Sequence, residues 1–470
     1  MDAAAARQLV TGYYRSPAVR ERMAEYCGAG ADGLCCEYLV GYPAEEGQPR
    51  VFVSPSELER LMGAGLDVSR SAWDREALLF CLDLDYVNFD HRGEAYAYPE
   101  RVFGLLEPVY EAITQVLIEK SISHLAVMTG KGYHFVWQVP LQHPAVARLA
   151  ARGRPPATLL AKYAHDRIRS QRAVPEALGR AEHGAGMLME YLAHRVLDRA
   201  QAGPAVVCNG LAVPGGERGR EVAALDLSGY ADPLPLRNFR VAFSSYQKAQ
   251  AERSWIGDGI ADGTPPQFCL PRPIGTPLAA MLSCRRDPKE AARWAEGLSA
   301  RIPEAGAGTA RALAAYLESR TRVAHDFFYA VEPDPVAAWP EGYHRLDLSS
   351  LPACAAAPLA RPNDLLLVPT YLQTVWWVLA GMGWHPRHVA GLIRSRYESD
   401  HGWGTTWLEV DAANRAEAYV RLFYGLAARG LERWGDLNCE AQARRSACLQ
   451  PGCGYRLERS LPLLAKVAAQ

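Results

Sequence analysis

The sequence carries almost no net charge. Its 51 Lys and Arg residues are balanced by 52 Asp and Glu residues, which gives a formal charge of −1 over 470 residues. This balance excludes a histone-like or wholly basic nucleic-acid coat, so local basic patches must meet any polyanionic partner. Charged residues are also few, at 22%, whereas 49% of the residues are hydrophobic. That composition excludes a disordered chain.

A secretion signal and paired cysteine knuckles are missing as well. The first residues, MDAAAARQLVTGYY, lack a charged region followed by an apolar run, so we expect a cytoplasmic protein. None of the eleven cysteines forms a CxxC pair. In a reducing compartment we expect these thiols to be metal ligands or core residues rather than disulfides.

One uncharged stretch is long enough to be compared with a membrane span. Residues 365–384 (LLLVPTYLQTVWWVLAGMGW) carry no charge. However, Pro369 suits the first position of a helix, and Gly381 and Gly383 end the apolar run after about fourteen residues. We therefore predict a buried core helix and no membrane partner.

The order of the predicted elements indicates an α+β or α/β catalytic core. Residues 1–75 show helical periodicity, 77–90 (ALLFCLDLDYVNFD) predict a strand, and 99–120 predict a helix. The segments HLAVMT and YHFVWQV then predict two strands around a glycine turn. Gly/Pro-rich breaks place a linker within 250–305, and helical patterns dominate from 306 onward.

The first motif that carries chemistry is LDLDY, which contains Asp83 and Asp85. Residues two apart on a strand project from the same face, so both carboxylates are expected on one side. Two hard oxygen ligands on one face suit Mg²⁺ or Mn²⁺ beside a substrate triphosphate. A solvated acidic pair and the DxD metal–nucleotide site of glycosyltransferases are the alternatives.

The second motif is MTGKGYHFVW. Gly130 and Gly132 permit a tight turn whose backbone amides can approach a phosphate, and Lys131 supplies a point charge. His134 lies at the start of the following strand. A plain hairpin turn and a core histidine are the alternatives.

The third motif lies within 225–248 and offers one more carboxylate, Asp226 or Asp232. Arginines, a lysine and hydroxyls follow it, and this combination suits a triphosphate clamp, although a solvated basic turn is the alternative. These residues are Arg237, Arg240, Ser244, Ser245 and Lys248.

Together the three segments resemble the catalytic motifs of the archaeo-eukaryotic primase superfamily, TGKGYH and RNFRVAFSS in particular. The resemblance implies that Asp83, Asp85 and Asp226 bind two divalent metal ions, Mg²⁺ or Mn²⁺. A three-residue extension before Arg237 leaves the choice between Asp226 and Asp232 open. The residues implied to hold the incoming nucleotide are Lys131, Gly132, His134, Arg237, Arg240, Ser244, Ser245 and Lys248.

Four cysteines remain near the end of the chain, separated by intervals of 84, 8 and 4 residues: Cys354, Cys439, Cys448 and Cys453. Four thiolates can hold either zinc or a [4Fe–4S] cluster. Their layout resembles the C-terminal iron–sulfur domain of the primase large subunit, which implies a [4Fe–4S] cluster and a role in initiation. The residues implied to meet template or initiating nucleotide are Arg387, His388, Arg394, Arg396 and Tyr397.

The resemblance implies a primase–polymerase catalytic domain (1–250) and a helical large-subunit-like cysteine-cluster domain (341–470). The Gly/Pro-rich breaks place a linker and helical connecting region (251–340) between them. The expected fold is an archaeo-eukaryotic primase core, with a mixed sheet and flanking helices, followed by the mainly helical domain.

We therefore expect a DNA-dependent primase–polymerase that makes and extends primers on single-stranded DNA from NTPs or dNTPs. The alternatives are a repair polymerase of the ligase-associated type that only extends primers, a glycosyltransferase, and a non-catalytic nucleic-acid-binding protein. The composition resembles that of a high-GC bacterial genome, where replication, repair or defence-system proteins are the expected partners.

Overall fold

The computed structural model describes residues 3–30, 33–165, 172–200, 206–208, 217–362, 366, 368–399, 410–431, 438–444 and 448–460. Within these residues the fold is a mixed α+β arrangement with a helical C-terminal part. The coarse fold class predicted from the sequence is therefore confirmed.

The strands are β1 (Ala29–Gly30), β2 (Gly33–Leu34), β3 (Leu39–Tyr42), β4 (Val51–Val53), β5 (Asp67–Ser71), β6 (Ala77–Asn88), β7 (Leu125–Met128), β8 (Gly132–Pro140), β9 (Val206–Cys208), β10 (Glu221–Asp226), β11 (Asn238–Arg240), β12 (Ser245–Tyr246), β13 (Gln267–Phe268) and β14 (Leu270–Pro271). The helices of the first 330 residues are α1 (Ala3–Tyr13), α2 (Pro17–Tyr26), α3 (Leu58–Gly63), α4 (Glu94–Ala97), α5 (Pro99–Glu119), α6 (Pro144–Arg152), α7 (Ala157–His165), α8 (Glu176–Arg199), α9 (Lys248–Ala251), α10 (Arg253–Ile256), α11 (Asp258–Gly263), α12 (Leu278–Cys284), α13 (Pro288–Gly297), α14 (Gly306–Leu317) and α15 (Arg320–Phe328). The later helices are α16 (Ala353–Ala360), α17 (Pro369–Gly381), α18 (Pro386–Ser399), α19 (Ala412–Ala428) and α20 (Cys439–Arg444). Short 3₁₀ turns lie at Pro55–Glu57, Ser228–Ala231, Leu234–Leu236, Val336–Ala338, Tyr343–Arg345, Leu348–Ser350 and Leu457–Ser460.

The main sheet has six strands in the order β14-β7-β8-β6-β10-β9. Every pairing is antiparallel except that of β10 with β9. Its long central strand β6 alternates in burial over its second half. Leu82 and Leu84 are fully buried, whereas Asp83 and Asp85 between them are partly exposed. The sheet therefore has a core-facing side, and α5 packs against β6, β8 and β10.

A second sheet, β11-β5-β3-β4, is wholly antiparallel. Three of its strands lie within residues 1–75, where the sequence pattern predicted helices. The helical prediction holds for α1, α2 and α3, but β1 to β5 were not anticipated. These strands have two to five residues. A segment that short carries little periodicity of its own and is stabilised by the strand opposite.

The Gly/Pro-rich segment predicted as a linker is part of the folded core. Phe268, Cys269 and Leu270 are fully buried. β14 hydrogen-bonds to β7 at the edge of the main sheet, and α13 packs against α1 and α2. The apolar run at 268–270 is too short to show a helical or strand periodicity. The linker was therefore predicted from the surrounding prolines and glycines alone. The boundaries at 250 and 340 stay predictions.

The uncharged stretch at 365–384 contains α17, which begins at Pro369 and ends at Gly381 as predicted. Trp376 and Trp377 in its middle are completely buried. Among the described residues, no helix combines the length and the apolar character needed to cross a membrane.

A buried polar network joins the C-terminal helices to α8. Glu190 on α8 accepts hydrogen bonds from Nε of Arg421 on α19 (2.9 Å) and lies 2.8 Å from Nε2 of His325 on α15. Arg421 also donates to the hydroxyl of Tyr329 (2.8 Å). Burial by itself would raise the pKa of Glu190, but the Arg421 and His325 charges lower it to about 2. The carboxylate is therefore ionised and fully partnered.

We predict that Arg421→Ala destabilises the protein by about 3–5 kcal/mol, because Glu190 would keep a buried charge without its main partner. Arg429→Ala is the matched control. Arg429 follows α19 and pairs with Asp198 of the same helix α8 at 2.7 Å, but nearer the surface. Its loss should cost about 1 kcal/mol or less. Chemical denaturation of both variants measures the difference, and equal losses would contradict the role of the buried network.

Candidate active site

Three neighbouring strands bring the predicted motifs into register. On β6, Asp83 pairs with His134 of β8 on one side and with Asp226 of β10 on the other. Directly opposed residues in a sheet project from the same face, with Cβ atoms about 5 Å apart. A carboxylate of the first motif, a carboxylate of the third motif and the histidine of the second motif thus lie side by side. Asp85, two residues along β6, shares that face.

The two glycines of the second motif are required by crowding. A Cβ on Gly132 would lie 1.8 Å from the carbonyl oxygen of Leu84, and one on Gly130 would lie 1.9 Å from the ring of Tyr246. Neither glycine has a positive φ. The predicted tight turn is present between β7 and β8, where the amide of Thr129 donates to the carbonyl of Gly132, but it uses no positive glycine φ. Gly132 lets β8 approach β6 closely and does not line the cavity described below.

Lys131 is directed at the carboxylates. Its Nζ lies 2.6 Å from Oδ2 of Asp85. Burial would raise the pKa of Asp85, but Lys131 and then Lys248 lower it below its ordinary value. Burial also raises the pKa of Asp83, and the nearby charges of Asp85 and Asp226 raise it further. The face therefore holds more negative charge than its own cations neutralise.

His134 is neutral at physiological pH, because burial lowers its pKa to about 4. Its Nε2 lies 3.6 Å from Oδ1 of Asp83. Its Nδ1 is buried and makes no hydrogen bond within the described residues. A neutral imidazole can position a ligand through a hydrogen bond but contributes no charge.

The geometry favours Asp226 over Asp232 as the third carboxylate. Asp226 stands opposite Asp83, and its Oδ1 accepts a hydrogen bond from the backbone of Ser228 (2.8 Å). Asp232 also lines the cavity, but its Oδ1 is bound by Nη1 of Arg415 on α19 at 2.7 Å. An arginine partner leaves Asp232 less available to a metal cation.

The second sheet supplies a basic wall through Arg240. Its guanidinium lies 4.9 Å from the ring centre of Tyr42 and 5.1 Å from that of Tyr246. Nη1 is 3.3 Å from Oδ2 of Asp67, a buried carboxylate at the start of β5. The sequence reasoning missed Asp67 and Tyr42; the polar alternation in DVSRS was the available signal for this strand.

Three residues of the third motif have structural contacts. Ser244 and Ser245 are completely buried and do not line the cavity. Ser245 Oγ donates to Oδ1 of Asp67 (2.8 Å), and Ser244 Oγ accepts from the amide of Val68 (2.7 Å). Arg237 lines the cavity but forms an ion pair with Glu182 of α8. The structure therefore does not bring the two serines to the nucleotide position expected for them.

All three motifs open into one cavity of about 590 Å³. Lys248 stands at its rim, 3.3 Å from Oε1 of Glu252 and more than one third exposed. Cavities of this size hold a nucleotide-sized ligand. The predicted site residues that line the cavity are Asp83, Asp85, Lys131, His134, Asp226, Arg237, Arg240 and Lys248.

The donor set fits a hard divalent cation. Oδ1 of Asp83 is buried and has no hydrogen-bond partner among the described residues. Carboxylate oxygens are the ligands that Mg²⁺ and Mn²⁺ prefer. As the side chains stand, no group of three or more His, Cys, Asp or Glu residues in the described ranges is arranged to hold a metal. Lys131 supplies the positive charge next to Asp85 instead.

The four C-terminal cysteines interact electrostatically, as the pKa of Cys354 shows. Burial first, and then the thiols of Cys439, Cys448 and Cys453, raise the pKa of Cys354 to about 12. The backbone amide of Leu457 lies 3.5 Å from Sγ of Cys439, as a donor to sulfur. Cys354 and Cys439, which have 84 residues between them in the sequence, are thus close enough in the fold for their charges to interact. Thiol donors fit zinc or an iron–sulfur cluster.

The residues of α18 proposed for template binding make contacts within the chain. Nη1 of Arg387 is 2.7 Å from Glu417, and Nε of Arg394 is 2.9 Å from Glu398. Nδ1 of His388 is 2.9 Å from the hydroxyl of Tyr343. Arg396 donates to the Tyr343 carbonyl at 3.1 Å, and Tyr397 is buried.

Comparison with known protein-family models finds no match, and no curated protein matches the chain.

We predict that Asp83→Asn stabilises the metal-free protein. The native Asp83 keeps its proton to a higher pH than the unfolded chain does, where the ordinary pKa is 3.8. Wild-type stability therefore falls as pH rises above that value, and the substitution removes this loss. The gain should grow from pH 5 to pH 8, where it should reach about 1 kcal/mol or more.

Asp85→Asn should have the opposite sign at pH 8. The pKa of Asp85 is lowered, so its ionisation stabilises the fold above the ordinary pKa, and that contribution is lost as pH falls. Thermal unfolding of both variants in EDTA at the two pH values measures this. Destabilisation by both substitutions at pH 8 would contradict the charge arrangement described here.

Proposed function

We propose that the protein is a DNA-dependent primase–polymerase of the archaeo-eukaryotic primase type. The observation that carries the proposal is the register of β8, β6 and β10. It places Asp83, Asp226 and His134 side by side in a cavity that also holds Lys131 and Arg240. Acidic ligands for metal next to basic groups for phosphate are what nucleotidyl transfer from a triphosphate requires.

Asp83, Asp85 and Asp226 would hold the divalent metals. When bound, Mg²⁺ or Mn²⁺ supplies charge neutralisation at the reacting phosphate and activation of the primer 3′-hydroxyl. Burial and the neighbouring carboxylates of Asp85 and Asp226 raise the pKa of Asp83, and a bound cation would lower it. Three carboxylates on one face cost stability unless a cation is present.

The remaining residues would bind and orient the triphosphate. Lys131, Arg240 and Lys248 line one cavity and can each meet phosphate oxygens. His134, being neutral, would contribute a hydrogen bond from its unpartnered Nδ1. Held in this way, the nucleotide presents its α-phosphate next to the carboxylate face.

The C-terminal part would supply initiation, and its helices contact the catalytic part close to the site. α19 packs against the Ser228–Ala231 turn, which begins two residues after Asp226. Arg415 of the same helix binds Asp232 on the cavity wall. A cluster held by the four cysteines would stabilise this helical region, as thiolate-bound clusters do. Starting a primer requires a second nucleotide site, whereas extending an existing primer does not.

We predict that Asp226→Asn lowers nucleotide incorporation on single-stranded DNA at least a hundredfold, because a metal ligand is lost. Asp232→Asn is the matched control. It lies in the same cavity but is bound by Arg415, so its effect should be less than about tenfold. The measurement is incorporation of labelled nucleotides with Mg²⁺ or Mn²⁺, with and without a primer. A larger effect from Asp232→Asn would reverse the assignment of the third carboxylate.

For the cysteines we predict a selective loss. Cys439→Ser should abolish primer synthesis on unprimed DNA, lower the bound iron or zinc, and leave extension of a supplied primer within about threefold of wild type. Cys284→Ser, a half-buried thiol on α12, is the control and should change neither activity nor metal content. Extension without any priming by the wild type would favour the repair-polymerase alternative.

A further inference from the structure

A second cavity adjoins the catalytic one. It measures about 380 Å³ and shares Lys131, Lys248 and Glu252 with the first. Its other walls are largely aromatic and apolar, with Phe89, Tyr96 and Trp255 among them. The catalytic mechanism uses none of these rings.

The chain runs straight from the carboxylates into this second cavity. Asp85 and Val87 lie on the same face of β6, because residues two apart on a strand share a face. Phe89 follows the end of that strand. Lys248 and Trp255 also line this cavity and are joined by the short helices α9 and α10. A ligand in the second cavity would therefore lie directly next to a triphosphate in the first.

Phe89 and Trp255 in this cavity are unusually exposed for aromatic side chains, and so is Tyr98, two residues beyond the cavity-lining Tyr96. The exposed fraction is 64% for Trp255, 56% for Tyr98 and 36% for Phe89. These are three of the four large aromatic side chains that are exposed in the described residues; the fourth is Phe52. Exposed apolar groups gathered in one place mark binding surfaces.

Each of the three rings has an arginine beside it. The guanidinium of Arg92 lies 4.2 Å from the ring centre of Trp255, that of Arg218 lies 5.9 Å from Tyr98, and that of Arg220 lies 5.8 Å from Phe89.

The three arginines differ in how far they are neutralised. Arg220 is held by Asp90 at 2.6 Å, and Arg218 is 3.8 Å from Glu94 but more than half exposed. Arg92 is exposed and makes no ion pair within the described part of the chain. Two of the three charges are therefore accessible to an anion from solvent.

Stacking faces with accessible guanidinium groups suit a single nucleic-acid strand. Every base has a flat face that can stack on an aromatic ring, so such a surface binds without regard to sequence. Arginines beside the rings meet the phosphates between successive bases. The lining of the second cavity carries Arg92, Lys131 and Lys248 against one carboxylate, Glu252, which is a local excess of positive charge.

We propose that the surface formed by Phe89, Arg92, Tyr98, Arg218 and Trp255 binds the single-stranded DNA template next to the catalytic cavity. The bases stack on Trp255 and Phe89, and Arg92 and Arg218 contact phosphates. This proposal rests on the proposed function, since it assigns the place of that enzyme's template.

The test measures binding of a fluorescein-labelled oligothymidylate to the full-length protein. Binding is monitored by fluorescence anisotropy in EDTA, with no nucleotide present. Trp255→Ala should weaken binding about tenfold, and Trp255→Phe should restore most of it. Arg92→Ala should weaken binding and make the salt dependence shallower by about one phosphate contact. Phe52→Ala is the matched control, because Phe52 is 39% exposed but lines neither cavity.

Equal effects of Trp255→Ala and Phe52→Ala would overturn the assignment of the strand. Unchanged oligonucleotide binding with a raised KM for the nucleotide would also overturn it, since the cavity would then hold the base of the incoming nucleotide. The catalytic proposal is scored separately by incorporation. If the Trp255 and Arg92 variants bind the oligonucleotide more weakly but the wild type incorporates no nucleotide, the assignment of this surface would stand and the catalytic proposal would fail. If the wild type incorporates nucleotides but none of the substitutions weakens oligonucleotide binding, the catalytic proposal would stand and the assignment of this surface would fail.

Discussion

The candidate site depends on the register of β6 between its two neighbours. Side chains on a strand alternate between faces, so a shift by one residue would bury Asp83 and Asp85 and turn Leu82 and Leu84 toward the cavity. Burial of the two leucines opposes such a shift. So does the close approach of Gly132, where any larger residue would collide with the backbone of β6. Hydrophobic packing on one face thereby determines where the charges lie on the other.

The same arrangement creates a conflict that a cation would resolve. Three carboxylates share one face, and burial together with mutual repulsion raises the pKa of Asp83. Lys131 neutralises Asp85 only, and neutral His134 adds no charge. Carboxyl groups whose pKa is perturbed by burial and by neighbouring charges are common at functional sites. The fold tolerates it because the rest of the sheet is well packed.

The C-terminal helices are attached by directional contacts to the part of the chain that carries the candidate site. Arg421 reaches Glu190 of α8, and Arg415 reaches Asp232 beside the cavity. Buried ion pairs define one relative position more sharply than an apolar surface does, because an unpaired buried charge is costly. α19 and the carboxylate face are therefore parts of one connected structure.

Local sequence patterns alone determined the central elements: β6 with Asp83 and Asp85 on one face, α5, and the buried helix that begins at Pro369. These features depend on periods of two or 3.6 residues and on proline geometry, which act over short stretches. The tertiary structure alone decided that Asp226 rather than Asp232 stands beside Asp83, and that Ser244 and Ser245 are buried. It also decided that Asp67 lies beside Arg240 and that Trp255 lines the second cavity. Those outcomes depend on which strands pair and which side chains are covered, and such contacts join residues that are far apart in the chain.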